Sequence, residues 1–340
     1  MKIKKILVFL RRTVFLLLAV SIMLSVSAIF ERKTTSGAWN YSLKVGGYKN
    51  EPSNSFDILG FGSSHMYCTL NPLSLYDETG LRSYVLATQQ QPVEATYYYI
   101  KEALKTQNPK IVIVEALMFT VNDKPATEGV AHDAVDPFPS GINRLLMIND
   151  MDIEDDKENY YISFLKYHTR WKELTEGDYN FRFKTETDPF RGFVFLTKAV
   201  ENSVLQVDYS SIEAKPITQS KEDMFLRIAK LVKENDAQLM LLVSPYNAGE
   251  EALGRYKYLK ALAKEQGAMV LDFNECFEET GINNKTDFYD GGHLNVYGAE
   301  KASSFIGKHI MENSALKQTP FGDDADWRAD IEYYNAQKSK

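Results

Sequence analysis

Five short apolar runs decide most of what this chain can fold into: residues 56–62 (FDILGFG), 83–87 (SYVLA), 110–116 (KIVIVEA), 238–245 (QLMLLVSP) and 268–274 (AMVLDFN). They are apolar at nearly every position rather than every second one, which suits strands covered on both faces. Helical patterns lie between them. Residues 92–105 begin with Pro92 and carry Tyr97, Ile100, Ala103 and Leu104 on one face. Ser220 and Asp223 resemble a capping box ahead of the stripe Met224, Phe225, Ile228, Leu231 and Val232. Further helices are expected over 250–266, closed by Gly267, and over 296–313. The alternation specifies an α/β fold, a three-layer α/β/α sandwich on a five-stranded parallel sheet.

Between 117 and 216 the alternation stops, and aromatic and charged residues mix without a clear strand-helix unit. A structureless loop of that length does not suit a compact domain, so a mostly helical insertion is expected. Following a strand, it would lie over the crevice at the carboxyl ends of the sheet, where substrate specificity is set. The globular part then runs from 56 to 315, preceded by a juxtamembrane linker at 34–55 and followed by a polar tail at 316–340 whose few aromatics can dock back.

The amino terminus has its own signature. Lys2, Lys4, Lys5, Arg11 and Arg12 precede an uncharged run over 13–30, long enough to cross a bilayer. Residues 1–33 are therefore expected to form a basic cytoplasmic stub and a transmembrane anchor, with everything after Glu31 outside by the positive-inside rule. A cleaved signal peptide is the rival reading, because Val26-Ser27-Ala28 suits signal peptidase. Either way the globular part is exported: a single-pass membrane protein in the first case, a secreted one in the second.

Net charge is −7 over 340 residues, which argues against binding nucleic acid, since a phosphate backbone calls for a basic surface. Only Cys68 and Cys276 occur, so no disulfide framework exists, and two unpaired thiols are expected. No His/Cys cluster has zinc spacing, and neither a metal nor a cofactor is expected. The acidic stretch 152–158 (DIEDDKE) lacks the glycine and ligand spacing of a calcium loop and reads as a solvated helix start.

Two short motifs carry chemistry. In Gly60-Phe61-Gly62-Ser63-Ser64-His65 a strand ends in glycine and turns into a helix, which can hold the Ser64 hydroxyl at the mouth of the sheet with its N–H facing a carbonyl oxygen. Alone, the motif is more often an ordinary N-cap by Ser63 or Ser64. In Asp290-Gly291-Gly292-His293-Leu294-Asn295, ahead of the last helix, His293 can act as base and acid while Asp290 turns back onto its other ring nitrogen, with the two glycines permitting the bend. The pair of motifs, at the first strand and before the last helix, points to a Ser64, His293, Asp290 triad.

These two blocks, GSSH at 62–65 and DGGHLN at 290–295, resemble the first and last signature blocks of the SGNH/GDSL hydrolases over about 56–313. The amino-terminal anchor, GSSH in place of the usual GDS, and an insertion carrying Tyr167-His168-Thr169-Arg170-Trp171 are similar to the branch that includes the D-alanyl-teichoic-acid biosynthesis proteins. That resemblance implies a cell-envelope role, often beside a membrane-bound O-acyltransferase. The chain departs from the pattern at two blocks. Ala87-Thr88-Gln89-Gln90-Gln91 stands where the family offers a glycine amide, so a backbone N–H of Thr88 or Gln89 is expected to join that of Ser64 in the oxyanion hole. Asn122 is the candidate for the side-chain donor, although it comes several residues late; loss of such a donor costs about 2.7–4 kcal/mol of transition-state stabilisation.

Candidate substrate contacts are His65, beside the nucleophile, and His168, Arg170 and Trp171, for which a structural salt bridge is the plainer reading. His132, in a loop, and His309 read as incidental. The expected activity is extracytoplasmic acyl transfer through a serine ester, from an acyl donor to a hydroxyl of an envelope polysaccharide or teichoic acid. An esterase of the same fold and a non-catalytic polymer-presenting partner are the alternatives.

Overall fold

The computed structural model describes residues 2–34, 37–181, 186–317 and 324–339. Its centre is a five-stranded, all-parallel sheet: β1 (Ile58–Gly62), β2 (Ser83–Ala87), β3 (Ile111–Glu115), β4 (Gln238–Val243) and β5 (Met269–Asp272), in the order β2-β1-β3-β4-β5. β2 coincides with its apolar run, and the other four strands are shorter than theirs because the ends turn away from the ladder. Alternate side chains go to opposite layers. Leu59, Phe61, Val112, Val114, Leu239 and Leu241 enter one core, and Ile58, Ile111, Ile113, Met240 and Leu242 the other. That is why the runs are apolar at every position.

The helices, in chain order, begin with α1 (Lys2–Phe30), α2 (Tyr41–Tyr48), α3 (Ser64–Thr69), α4 (Pro72–Thr79) and α5 (Val93–Ala103). The 117–216 insertion holds α6 (Leu117–Thr120), α7 (Glu128–Val135), α8 (Ile142–Asp150), α9 (Glu158–Tyr161), α10 (Ser163–Tyr167) and α11 (Glu176–Asn180); α12 (Gln219–Glu234), α13 (Glu250–Glu265), α14 (Val296–Asn313) and α15 (Ala325–Lys338) follow. Helices α3 and α14 cover one face of the sheet, and α5, α12 and α13 the other. Two start signals differ from expectation. Pro92 is the N-cap residue of α5 rather than part of the helix, and α12 begins at Gln219 with Thr218 as N-cap, so Ser220 caps nothing. Asp223 instead accepts from the Gln219 side chain, 2.9 Å away.

The insertion is less helical than expected. Its described helices are short, and after α11 the chain from 193 to 208 is irregular, held by backbone bonds to scattered partners: Val194 N–H to Tyr67 O, Val200 N–H to Phe288 O and Asn202 N–H to Asn284 O. The partners lie far away in the chain, in α3 and in the 284–288 segment, so no local pattern could announce the path.

Segments outside the sandwich also pack on it. Tyr41 and Val45 of α2 are buried, and the Lys44 ammonium donates to Asp188 (3.3 Å) and to the Phe193 carbonyl (2.5 Å). In α15, Trp327 stacks on Tyr76 of α4 at 4.5 Å, and Arg191 bridges Glu51 and Asp330 beneath it. Helix α1 is long and apolar enough to cross a membrane, and its surface is bare of protein as far as Leu24. Cys68 is buried in α3 and Cys276 lies just past β5; neither is bridged.

Candidate active site

Strand β1 lies between β2 and β3; the connection after β1 runs to one side of the sheet and that after β3 to the other, so the carboxyl end of β1 opens on a crevice at this reversal. Ser64 stands there. Gly62 makes the turn with φ at +147°, and a Cβ on it would lie 2.7 Å from the Cβ of Glu115 on β3, so both the backbone and the space require glycine. The two serines then divide two tasks. Ser63 is the N-cap of α3: its hydroxyl accepts from the His65 N–H at 3.3 Å and donates to Glu115 Oε2 at 2.7 Å. Ser64, freed from capping, is the first residue of the helix, and its hydroxyl oxygen lies 2.8 Å from His293 Nε2.

His293 arrives on a tight hairpin in which Phe288 and Leu294 pair and the Tyr289 N–H donates to the His293 carbonyl at 2.8 Å. Asp290 organises the bend. Its Oδ1 accepts the N–H of Gly292 (2.9 Å) and of His293 (3.0 Å), and both carboxylate oxygens lie within 3.0 Å of His293 Nδ1. Neither Gly291 nor Gly292 adopts a left-handed φ, and no backbone crowds either position, so the bend comes from the carboxylate rather than from the glycines. Asn295 fixes the far side as N-cap of α14, accepting from the N–H groups of Tyr297 and Gly298, while its amide donates to the Thr286 carbonyl at 2.7 Å.

Electrostatics follow from these contacts. Burial alone would raise the Asp290 carboxyl, but the Gly292 N–H and the His293 ring and N–H outweigh it and hold it below the usual carboxylate range. An ionised Asp290 selects the His293 tautomer with hydrogen on Nδ1, leaving Nε2 to accept from the Ser64 hydroxyl. His65 is buried with its ring 5.4 Å from that of His293 and 4.9 Å from Tyr246. Burial first, and His293 second, push its pKa down to about 3, so it remains neutral and packs as a flat apolar wall. Its Nδ1 has no hydrogen-bond partner among the described residues.

The other sequence candidates separate. Thr88 is buried at the end of β2 and Gln89 is exposed after it, with Gln90 held at a φ of +45°. The Gln89 N–H is turned toward the Tyr41 hydroxyl, which lies 3.2 Å from that of Tyr67. Asn122 is not brought to the triad: it is exposed on the insertion, and its side-chain oxygen accepts from Arg255 of α13 at 2.9 Å. His168, Arg170 and Trp171 are not brought there either. They form a 3-10 turn (His168–Lys172) against the end of α1, where Arg170 donates to the Phe30 and Glu31 carbonyls and pairs with Asp178 at 3.1 Å. The salt-bridge reading of Arg170 therefore describes its place, because helix-end carbonyls lack intrahelical donors and draw a cation. His132, expected in a loop, is buried on α7; with Glu128 and Asp155 it makes a metal-like cluster, in which Lys166 bridges the two carboxylates.

Three residues around Ser64 and His293 went unnoticed in the sequence. Tyr67 stands one turn after Ser64 on the same face of α3, with its hydroxyl beside the serine and against Tyr41 of α2. Glu115 is buried at the end of β3 beneath the Gly62–Ser64 turn, and burial pushes its carboxyl up to about 7. Asn202 donates to the carbonyls of Asp290 and Gly291 at 3.3 Å each, clamping the histidine hairpin from the insertion. Only Tyr67 had a local signal, its i, i+3 spacing from Ser64; the others meet the site through contacts between remote segments.

No protein-family profile matches the chain, and no curated protein matches it by sequence. Among solved structures it is similar to a protein described as lipolytic, of the G-D-S-L family, from Desulfitobacterium hafniense: TM-score 0.39, 10% identity, covering 74% of this chain and 98% of that one. It is also similar to an acetylxylan esterase from Geobacillus stearothermophilus, with TM-score 0.36 and 12% identity over 79% of this chain and 98% of that one.

Proposed function

We propose that the chain is a serine-dependent acyl-transfer enzyme of the cell envelope, held by α1 with its amino terminus in the cytoplasm and its sandwich outside. The observation that carries the reading is the unbroken contact from Asp290 through His293 to Ser64, at 2.9 and 2.8 Å, across 229 residues of sequence. The proton of the Ser64 hydroxyl passes to His293 Nε2 as the oxygen attacks the carbonyl carbon of an acyl ester or thioester. Collapse of the tetrahedral intermediate breaks the bond to the leaving group, which takes that proton from His293 and departs, leaving acyl-Ser64. An acceptor hydroxyl then gives its proton to His293, attacks the acyl-serine, and Ser64 recovers the proton as the product ester leaves. Asp290 holds the imidazole in the working tautomer and stabilises its protonated form. The N–H groups of Ser64 and Thr88 and the Tyr67 hydroxyl are the candidate donors to the oxyanion, the Gln89 N–H being engaged by the Tyr41 hydroxyl.

The acceptor is proposed to be a hydroxyl of an envelope polysaccharide or teichoic acid, supplied beside a membrane-bound O-acyltransferase, on the strength of the motif resemblance and the membrane helix. An esterase, with water as acceptor, has one observation in its favour: the Asp290 and His293 side chains are 46% and 24% exposed, so water reaches the base. Replacing Ser64 by Ala at equal protein level tests the proposal in cells. Loss of envelope O-esters supports transfer and their accumulation supports hydrolysis; unchanged esters refute serine catalysis and leave a polymer-presenting role.

A further inference from the structure

We propose that the insertion beds a collar of apolar side chains into the outer leaflet of the bilayer that α1 crosses, so that the sandwich rests on the membrane instead of swinging from a tether. The inference rests on the reading of α1 as a retained membrane helix.

Outside α1, eleven large apolar side chains are exposed among the described residues, and six of them are Ile142, Leu145, Leu146, Leu165, Trp171 and Tyr179. Scattered singly, such residues need no explanation. These six are not scattered, because they occupy four pieces of the insertion, α8, α10, the 168–172 turn and α11, all tied to the carboxyl end of α1. Phe164 of α10 meets Phe30 edge-on at 5.1 Å, and its N–H donates to Ser27 Oγ at 3.4 Å. Ser163 donates to Glu31 Oε1 at 2.8 Å, Arg144 of α8 pairs with the same carboxylate, and Arg170 holds the carbonyls of Phe30 and Glu31. The helix therefore leaves the bilayer through a ring of insertion residues.

Part of the outward surface of that ring is apolar, between polar positions such as Lys172 and Glu173. On α8, Ile142, Leu145 and Leu146 share one face at i, i+3, i+4 spacing and are exposed, whereas Asn143 and Arg144 are turned inward and buried. Trp171 is 64% exposed, with the Lys172 ammonium 5.0 Å from its ring centre. Tryptophan, tyrosine and lysine beside aliphatic residues at the end of a membrane helix match the composition of the headgroup boundary, where amphipathic rings sit. Lipid is the fitting occupant because these side chains sit on segments packed around the carboxyl end of α1, whose own exposed apolar surface runs as far as Leu24.

The experiment uses the full chain in nanodiscs of phosphatidylcholine and phosphatidylglycerol, with and without bromine on the acyl chains. Subtracting the emission of Trp171→Phe from that of the wild type isolates Trp171. The expected result is a blue-shifted Trp171 component, quenched at least twofold by the brominated lipid and shielded from aqueous acrylamide. A component that ignores bromine and is quenched by acrylamide as in water overturns the collar. Shielding that appears only in native membranes overturns it too, in favour of a second membrane protein. Co-elution of protein with the nanodiscs is scored in the same samples: failure to co-elute refutes the membrane reading of α1 itself, whereas co-elution with a wet Trp171 refutes the collar alone.

Discussion

Replacing Asp290 by Asn separates orientation of the imidazole from the shape of its hairpin. Asp290 Oδ1 accepts two backbone N–H groups, at 2.9 and 3.0 Å, and an asparagine can keep both by placing its carbonyl oxygen there. Its NH2 then falls where Oδ2 stood, 3.0 Å from His293 Nδ1. An N–H aimed at Nδ1 favours the tautomer with hydrogen on Nε2, which cannot take the Ser64 proton. In a fully enclosed triad the same change costs roughly four powers of ten in kcat. Here the Asp290 side chain is 46% exposed, so water can partly replace the lost acceptor. The expected loss is about three powers of ten, or about 4 kcal/mol at 1.36 kcal/mol per decade. The assay is the second-order rate of Ser64 labelling by a fluorophosphonate, alongside hydrolysis of a short-chain aryl ester, with Tm measured in parallel. Labelling within threefold of wild type in a variant of unchanged Tm would refute the role given to Asp290.

Three further outcomes follow from the geometry. Gly62→Ala places a Cβ 2.7 Å from Glu115 at a φ of +147°, and is expected to cost about 2–5 kcal/mol in denaturant unfolding and to abolish labelling by shifting the nucleophile turn. Glu115 is raised from an ordinary 4.5 to about 7, so between those values the folded chain holds a proton that the unfolded chain has lost, and stability falls as pH rises through that window. The total is about 3 kcal/mol at 1.36 kcal/mol per pH unit; Glu115→Gln is expected to flatten the decline in Tm between pH 4.5 and 7, and an unaltered decline would show that the carboxyl is ionised throughout. Asn122→Ala, removing a surface contact to Arg255, is expected to leave labelling within twofold of wild type; a hundredfold loss would restore it as an oxyanion donor.

The sheet was legible because its five runs are apolar on both faces, a signal that each strand carries within itself. The last helix was legible for the same reason: Asn295 caps it within three residues of its start. Legibility ended where a segment's surroundings come from remote parts of the chain. The 193–208 stretch is fixed by bonds to residues as distant as Tyr67 and Phe288, and so has no periodicity of its own. Around the candidate site, Ser64 and His293 sit in compact motifs, but Asn202 meets the hairpin across 88 residues and Tyr41 meets Tyr67 across 26. Asn122 was suggested by motif order, and the chain carries it to the surface after α6 instead. His168, Arg170 and Trp171 have the composition of a recognition surface, yet that composition also suits a cation on helix-end carbonyls and an indole at a membrane boundary. Residue type alone could not choose between the two.

The central claim is that one hydroxyl becomes the acyl carrier because one imidazole removes its proton. Peptide mapping by mass spectrometry after fluorophosphonate treatment tests it directly. The account predicts a single adduct on the peptide containing Ser64, absent in Ser64→Ala and slowed at least a thousandfold in His293→Ala. An adduct on Ser63 or elsewhere, or undiminished labelling of Ser64 in a folded His293→Ala protein, would contradict it.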